Sequence, residues 1–265
     1  DTLEEAAVAM ADPKTPLLPI VDRASGKLLG IITRRDVLDA YRSRVDLYMG
    51  HSSELQPYGD SIWVATGPIV RSFGFPFPTR MIVVRLTDGG VWINSPVEWT
   101  SEDMRAVARI GPVRHLVSPT PLHDWRINAW AKAFPDARIW LAKSLADAAP
   151  PDWSSDLDQM VFRGSRVLNE VEFFHRLSRT LIIGDFIQNY APSANGMRNF
   201  IFKLAGVDGG TPIDARASFI GNKASGRASL DRLLSWDFDR LIVAHGECVD
   251  HDARAFARRA FAWLS

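Results

Sequence analysis

The sequence predicts a layered α/β fold with two internal sheets, preceded by a small helix–strand–strand–helix unit. Three observations predict it. Short apolar runs of strand length alternate with stretches of helical periodicity. The scheme of strands followed by helices occurs twice along the chain, so each half supplies its own sheet. The composition, 46% hydrophobic and 23% charged over 265 residues, is globular and suits one large domain with a small appendage.

Residues 1–45 form a self-contained pattern. DTLEEAAVAMAD has apolar residues at helical spacing, with Thr2 and Glu5 in capping-box register. LLPIVD reads as a strand, ASGK as a turn and LLGIIT as a second strand. RRDVLDAYRSR is helical again, with Val37, Leu38 and Tyr41 on one face. The stretches LPIVD and GIITRRDV resemble the later half of a cystathionine-β-synthase (CBS) motif. That resemblance implies that Thr33 and Asp36 hold the phosphate and ribose of an adenine nucleotide, since a helix N-terminus favours an anion and a carboxylate accepts ribose hydroxyls. The alternative is that Thr33 simply caps the helix opened by Arg34. Such motifs work in pairs, so the half-unit implies a partner, either an upstream CBS half or a second copy in a homodimer. The chain opens at Asp1 inside a helical pattern, and the expectation is that further sequence precedes it. Residues 46–54, ending in polar HSSE, read as a linker.

Residues 55–265 follow a different rhythm. SIWVATGP, RMIVVRL, GVWINSP and RHLVSP are strands, punctuated by GFPFP and by the hairpin signal LTDGG. TSEDMRAVARIG is a helix with Thr100 or Ser101 as N-cap, acidic residues in its first turn and Gly111 at its end. In HLVSPTPLHDW an apolar strand runs into two prolines, and His123 and Asp124 precede a helix expected over residues 124–134. ARIWLA is a strand, and a Pro- and Asp-rich loop follows over 149–158. In the second half QMVFRG, EVEFFH, TLIIGD and RLIVAHG are strands, and residues 195–204 and 225–234 are helices. DARAFARRAFAWL closes the chain as an amphipathic helix. Trp63, Trp92 and Trp140 belong to the core, whereas Trp125 and Trp130 are placed to line a cleft mouth.

Composition also excludes some functions. Thirty-one basic residues balance 31 acidic ones, leaving no cationic excess to neutralise a nucleic-acid backbone. A single cysteine, Cys248, forbids an internal disulfide or a cysteine-based zinc cage and suits the cytoplasm. No apolar run approaches the roughly 20 residues of a transmembrane helix. No G-x-S-x-G elbow or phosphate-cradling glycine loop occurs.

Three strand exits carry residues of metal-ligand type: His123 with Asp124, Asp185 in TLIIGDF, and His245 in LIVAHGE. Together they offer three N/O ligands to one cation, the pattern of a zinc site with an open position, or of manganese or iron. Alternatively Asp124 caps the following helix while Asp185 and His245 bond each other. Glu170 either points into the cleft or is an exposed strand glutamate, and Glu247 is placed to accept from the His245 imidazole. His115 is expected to be partly buried, His175 to sit in a turn and His251 beside the last helix.

The order strand–HD turn–helix, strand–GD, strand–HGE–helix resembles the metallo-β-lactamase fold over about residues 54–265, a four-layer αββα sandwich. ELQPYGDSIWVATGP and RGSRVLNEVEFFHRLSRTLIIGDF are similar to a ligand-poor branch of that superfamily. The resemblance implies a histidine-rich H-x-H-x-D-H turn at residues 119–124, but Pro119 and Pro121 fill the positions of its leading histidines. A third expected histidine falls near Arg166. The expected function is therefore a non-hydrolytic small-molecule-binding or regulatory module, with the CBS-type segment serving dimerisation or adenine-nucleotide sensing. In that reading no metal is bound, and Arg166 neutralises Asp185. The alternative is a mononuclear metal-dependent hydrolase with one Zn, Mn or Fe ion on Asp185 and His245.

Overall fold

The computed structural model describes residues 17–22, 25–33, 55–72, 75–150, 152–194 and 196–265. The chain divides into two compact units, Asp1–His51 and Ser52–Ser265. In the first, β1 (Leu17–Val21) and β2 (Leu28–Thr33) form an antiparallel hairpin with Leu17 opposite Thr33. Its turn is held by Asp22, whose Oδ1 accepts from Ser25 N at 2.8 Å and Ser25 Oγ at 2.7 Å. Gly26 adopts the left-handed conformation there, at φ +67°. The two helices and the linker expected there, and Asp36, lie outside the described residues.

The second unit contains two sheets. In the first sheet β3 (Gln56–Gly59), β4 (Ile62–Ser72), β5 (Phe75–Arg85) and β6 (Val91–Asn94) run as an antiparallel meander. β7 (Val113–Ser118) and β8 (Arg138–Leu141) then add in parallel. The second sheet holds β9 (Leu157–Phe162), β10 (Glu170–His175), β11 (Thr180–Asn189) and β12 (Asp208–Gly210), with β13 (Arg240–Gly246) parallel to β11. Helices α1 (Ser101–Ala108) and α2 (Ile127–Ala133) accompany the first sheet. α3 (Gly196–Ala205), α4 (Ile213–Ser218), α5 (Lys223–Leu234) and α6 (Ala253–Ala260) accompany the second.

Strand alternation builds four layers. On β5, Ile82 and Val84 join Trp92, Phe173, Ile182 and Ile242 in the core between the sheets. Met81 and Val83 face the other way, against Met104 and Val107 of α1 and Trp130 of α2. On β11, Leu181 and Ile183 turn outward onto Leu233 of α5 and Ala257 of α6. Period-two side-chain placement thus feeds three apolar clusters, one for each gap in an α–β–β–α stack.

Two local expectations change. The Phe-Pro-Phe-Pro run belongs to β5 rather than to a turn. Along an extended strand the N–H and C=O of one residue share an edge, and the Pro78 carbonyl accepts from His245. Pro78, and Pro76 two residues earlier, therefore turn their donor-less nitrogens away from β4, where no ladder bond is lost. The helix expected from residue 124 starts at Ile127, with Arg126 as N-cap, because Pro121–His123 forms a separate 3-10 turn that Asp124 terminates. Asp124 therefore does not cap that helix. At α1 the N-cap is Thr100, which exchanges bonds with Asp103 as a capping box.

Candidate functional site

Three strand exits converge at one end of the sandwich. After β7, Thr120 Oγ1 accepts from Leu122 N at 3.0 Å, and Pro121 begins the 3-10 turn with its fixed φ, which delivers His123. The Pro119 carbonyl accepts from Val171 N, tying this turn to β10 of the other sheet. In β11 the register with β13 shifts between Ile183 and Gln188, and Asp185 lies in that irregularity. Glu170 holds it from below: its two carboxylate oxygens accept from Gly184 N and Asp185 N, each at 2.7 Å. A Cβ on Gly184 would lie 3.0 Å from that carboxyl group, so glycine is what lets the cradle close. At the end of β13, His245 precedes Gly246, whose φ of +96° and contact with the Asn189 carbonyl exclude a side chain. Arg80 clamps this exit by donating to the carbonyls of Val243 and Gly246.

The ring nitrogens fix the chemistry. His245 Nδ1 is 2.7 Å from the Pro78 carbonyl, which only accepts, so Nδ1 carries the proton. Nε2 then points at Asp185 Oδ1, 3.1 Å away. Ser95 Oγ donates to Asn94 Oδ1 at 2.6 Å and accepts from His123 Nδ1 at 2.8 Å, leaving His123 Nε2 3.5 Å from the same Asp185 oxygen. Asp185 Oδ2 accepts from Thr120 Oγ1 at 3.3 Å. One ligand atom from each of His123, Asp185 and His245 lies within 4.8 Å of the others. With each Nδ1 engaged, both Nε2 atoms face the Asp185 carboxylate, an arrangement that requires a proton or a cation between them.

Electrostatics agree. Burial opposes ionisation of Asp185, but His123 and His245 outweigh it and hold its carboxyl far below the usual carboxylate range. Burial likewise opposes charge on His123, yet Asp185 raises its pKa above the ordinary value. Glu170 is pushed up to about 7 by burial and by the nearby Asp185 charge. Glu172, fully buried and without a hydrogen-bond partner, is pushed well above its ordinary range by burial and by Glu170.

Of the residues singled out in the sequence, His123, Asp185 and His245 are brought together, and Glu170 sits beneath them. Asp124 is exposed and is not part of the converging group. Arg166 lies beside Gly221, and the ion partners of Asp185 are imidazoles rather than its guanidinium. Glu247 is exposed and engages Asn189 through its backbone; the carbonyl of Pro78 orients His245 instead. Thr33 ends β2 in the other unit. Sequence reasoning missed Ser95, Thr120 and Glu172. The alternation of EVEFF, with Val171 and Phe173 committed to the inter-sheet core, was the available signal that Glu170 and Glu172 share the opposite face. Nothing in the sequence signals that a proline carbonyl orients His245.

The triad floors a cavity of about 530 Å³. Phe77, Val97, Leu122, Trp125, Leu168 and Phe186 supply its mainly apolar walls. Trp125 stands at the mouth, whereas Trp130 is buried and donates to the Val97 carbonyl. The size and lining suit a small organic ligand.

Residues 73–147 match the model of DUF4336, a domain of unknown function, and residues 1–43 match the CBS domain model. Comparison with curated protein sequences finds no match. Among solved structures, the chain is similar to a flavoprotein from Thermotoga maritima, with a TM-score of 0.55 and 12% identity over 80% of this chain and 60% of that one. It is similar to a flavo di-iron protein mutant from the same organism, at TM-score 0.54 and 12% identity over 80% and 62%. It is also similar to the DIM-1 metallo-β-lactamase exposed to ceftazidime, at TM-score 0.54 and 15% identity over 80% and 97%. The chain thus spans about 60% of the length of the two Thermotoga proteins. Among the described residues no helix is long and apolar enough to cross a membrane. Two sheets packed face to face between outer helices, with these neighbours, give the Ser52–Ser265 unit a metallo-β-lactamase-like fold.

Proposed function

We propose that residues 55–265 form a small-molecule-binding domain whose pocket floor holds one divalent cation on His123, Asp185 and His245. The observation that carries this reading is the convergence of the Nε2 atoms of His123 and His245, each ring already engaged through Nδ1, on one carboxylate at the floor of an apolar cavity. Donors bound at about 2.1 Å to a tetrahedral ion lie roughly 3.4 Å apart, and the 3.1 and 3.5 Å separations from Asp185 fit that spacing. The Pro78 carbonyl supplies the outer contact that orients a metal-bound imidazole. Such an ion would act as a Lewis acid toward an oxygen of the ligand.

A two-metal hydrolytic centre fits poorly. It needs a second donor set, and Pro119 and Pro121 offer no side-chain ligand where Asp124 already faces outward. The CBS-like unit is read as the module for pairing or adenine-nucleotide sensing, with Thr33 and Asp36 as the residues to substitute in a nucleotide titration.

Elemental analysis of protein purified without chelator tests the metal. About one equivalent of a transition metal, lost in His245→Ala, is expected. Two equivalents would point to a dinuclear centre. None, with Asp185 and the imidazoles sharing a proton instead, would overturn the reading.

A further inference from the structure

We propose that helix α3 docks this protein on an anionic lipid surface. In its sequence GMRNFIFKLA, Met197, Phe200, Ile201 and Leu204 recur at i, i+3, i+4 and i+7, the apolar stripe of an amphipathic helix. In a layered fold such a stripe normally turns inward. Here it turns outward: the four side chains are 68%, 58%, 50% and 63% exposed, and α3 contains no buried residue.

The opposite face explains why. Asn199 accepts from Ser193 N at 2.8 Å and donates to Ser193 O at 2.7 Å. Arg198 donates to the Ala191 carbonyl and stacks over Phe202, whose ring packs 5.2 Å from that of Tyr190. With Arg198, Asn199 and Phe202 attached to the preceding loop, the Met–Phe–Ile–Leu stripe is held toward solvent.

Charge selects the occupant. α3 carries Arg198 and Lys203, and no aspartate or glutamate occurs anywhere between Asp185 and Asp208. Two copies of the helix meeting face to face would bring like charges together with no carboxylate on the helix itself to compensate. An anionic bilayer offers both an apolar layer for the stripe and phosphates for exposed Lys203, while Arg198 stays tied to the Ala191 carbonyl and the Phe202 ring. Apolar exposure also continues beside the helix. Gly206, just past its end, packs on Arg216 of α4, whose Ala215 and Ser218 line the cavity. Val167, Leu122 and Trp125 line the same cavity and are largely exposed.

Cosedimentation of the 265-residue chain with vesicles tests this. Binding is expected to phosphatidylserine–phosphatidylcholine vesicles, and several-fold weaker binding to phosphatidylcholine alone. The double substitution Phe200→Ser, Ile201→Ser is expected to weaken binding about tenfold or more, because it removes the two largest adjacent side chains of the stripe. Lys203→Glu is expected to weaken it several-fold on the anionic vesicles only. These positions are exposed, so thermal unfolding and metal content serve as controls that should not change. No binding to either vesicle, equal binding to both, or full binding by the double variant would overturn the proposal. Light scattering showing a dimer that the double variant disperses would also overturn it, by assigning the stripe to a second copy of the chain.

Discussion

His245 and His175 each end a buried strand, β13 and β10, and each is less than one-tenth exposed. His175 sits in a closed network: its Nδ1 lies 2.7 Å from Ser178 Oγ, which in turn donates to Thr180. Burial pushes its pKa down to about 4, so it is a neutral structural residue. His245 spends its Nδ1 proton on a carbonyl and leaves Nε2 facing Asp185. Burial does not separate the two. What faces the second nitrogen does, because a carboxylate and a bare imidazole repel unless something positive lies between them.

The strongest way to break this comparison is to delete each histidine and count metal. Asp185→Ala and His245→Ala should each reduce metal from about one equivalent to near zero after dialysis, while His175→Ala should leave it unchanged and only destabilise the fold. Equal loss from His175→Ala would show that the metal follows overall folding and not the triad. A sharper version targets the cradle. Glu170→Gln removes one acceptor from the Gly184 and Asp185 amides, and Gly184→Ala forces a methyl against the same carboxyl group. Either should weaken metal affinity by about 10- to 100-fold in a chelator competition, the usual effect of disturbing a residue that orients a ligand.

How much of this was legible follows the same division. The two sheets, their alternation and the three strand exits could be read because period-two burial and strand-end placement are local. Asp185 and His245 stand out in TLIIGD and LIVAHG for that reason. Asp124 looked as suitable as His123, since adjacent residues cannot be told apart until the 3-10 turn, set by Thr120 and Pro121, decides which one points inward. Arg166 was placed near Asp185 by resemblance, yet its loop carries it to Gly221. The Pro78 carbonyl lies 167 residues from His245 along the chain, and the Ser95 hydroxyl 28 residues from His123. Such long-range pairings are set by sheet packing, so no local pattern announces them.

The buried neutral histidines make a smaller, pH-dependent prediction. His115 and His175 are both pushed down to about 4 by burial, against about 6.5 in the unfolded chain. Below pH 6.5 the unfolded state takes up protons that the native state refuses. Stability should therefore fall as pH drops from about 6.5 toward 4, by up to about 1.4 kcal/mol per pH unit for each histidine. Denaturant unfolding of His175→Gln should show a shallower slope in that window than the parent; an unchanged slope would mean that His175 already charges in the native state.

Trp140→Phe is expected to have the smallest effect and isolates one contact of His115. The Trp140 indole Nε1 donates to His115 Nδ1 at 3.2 Å, while the two rings pack with Trp153 between the sheets. Phenylalanine keeps part of the aromatic packing and removes the donor, leaving the buried nitrogen without that bond. A loss of about 1 kcal/mol is expected, with metal content unchanged. The indole N–H bonds only the neutral imidazole's lone pair, so its removal also makes protonation of His115 easier in the native state. The acid-side slope should then flatten, as it does for His175→Gln. A loss of stability with no change in slope would mean that packing against Trp153, rather than the indole bond, keeps His115 neutral.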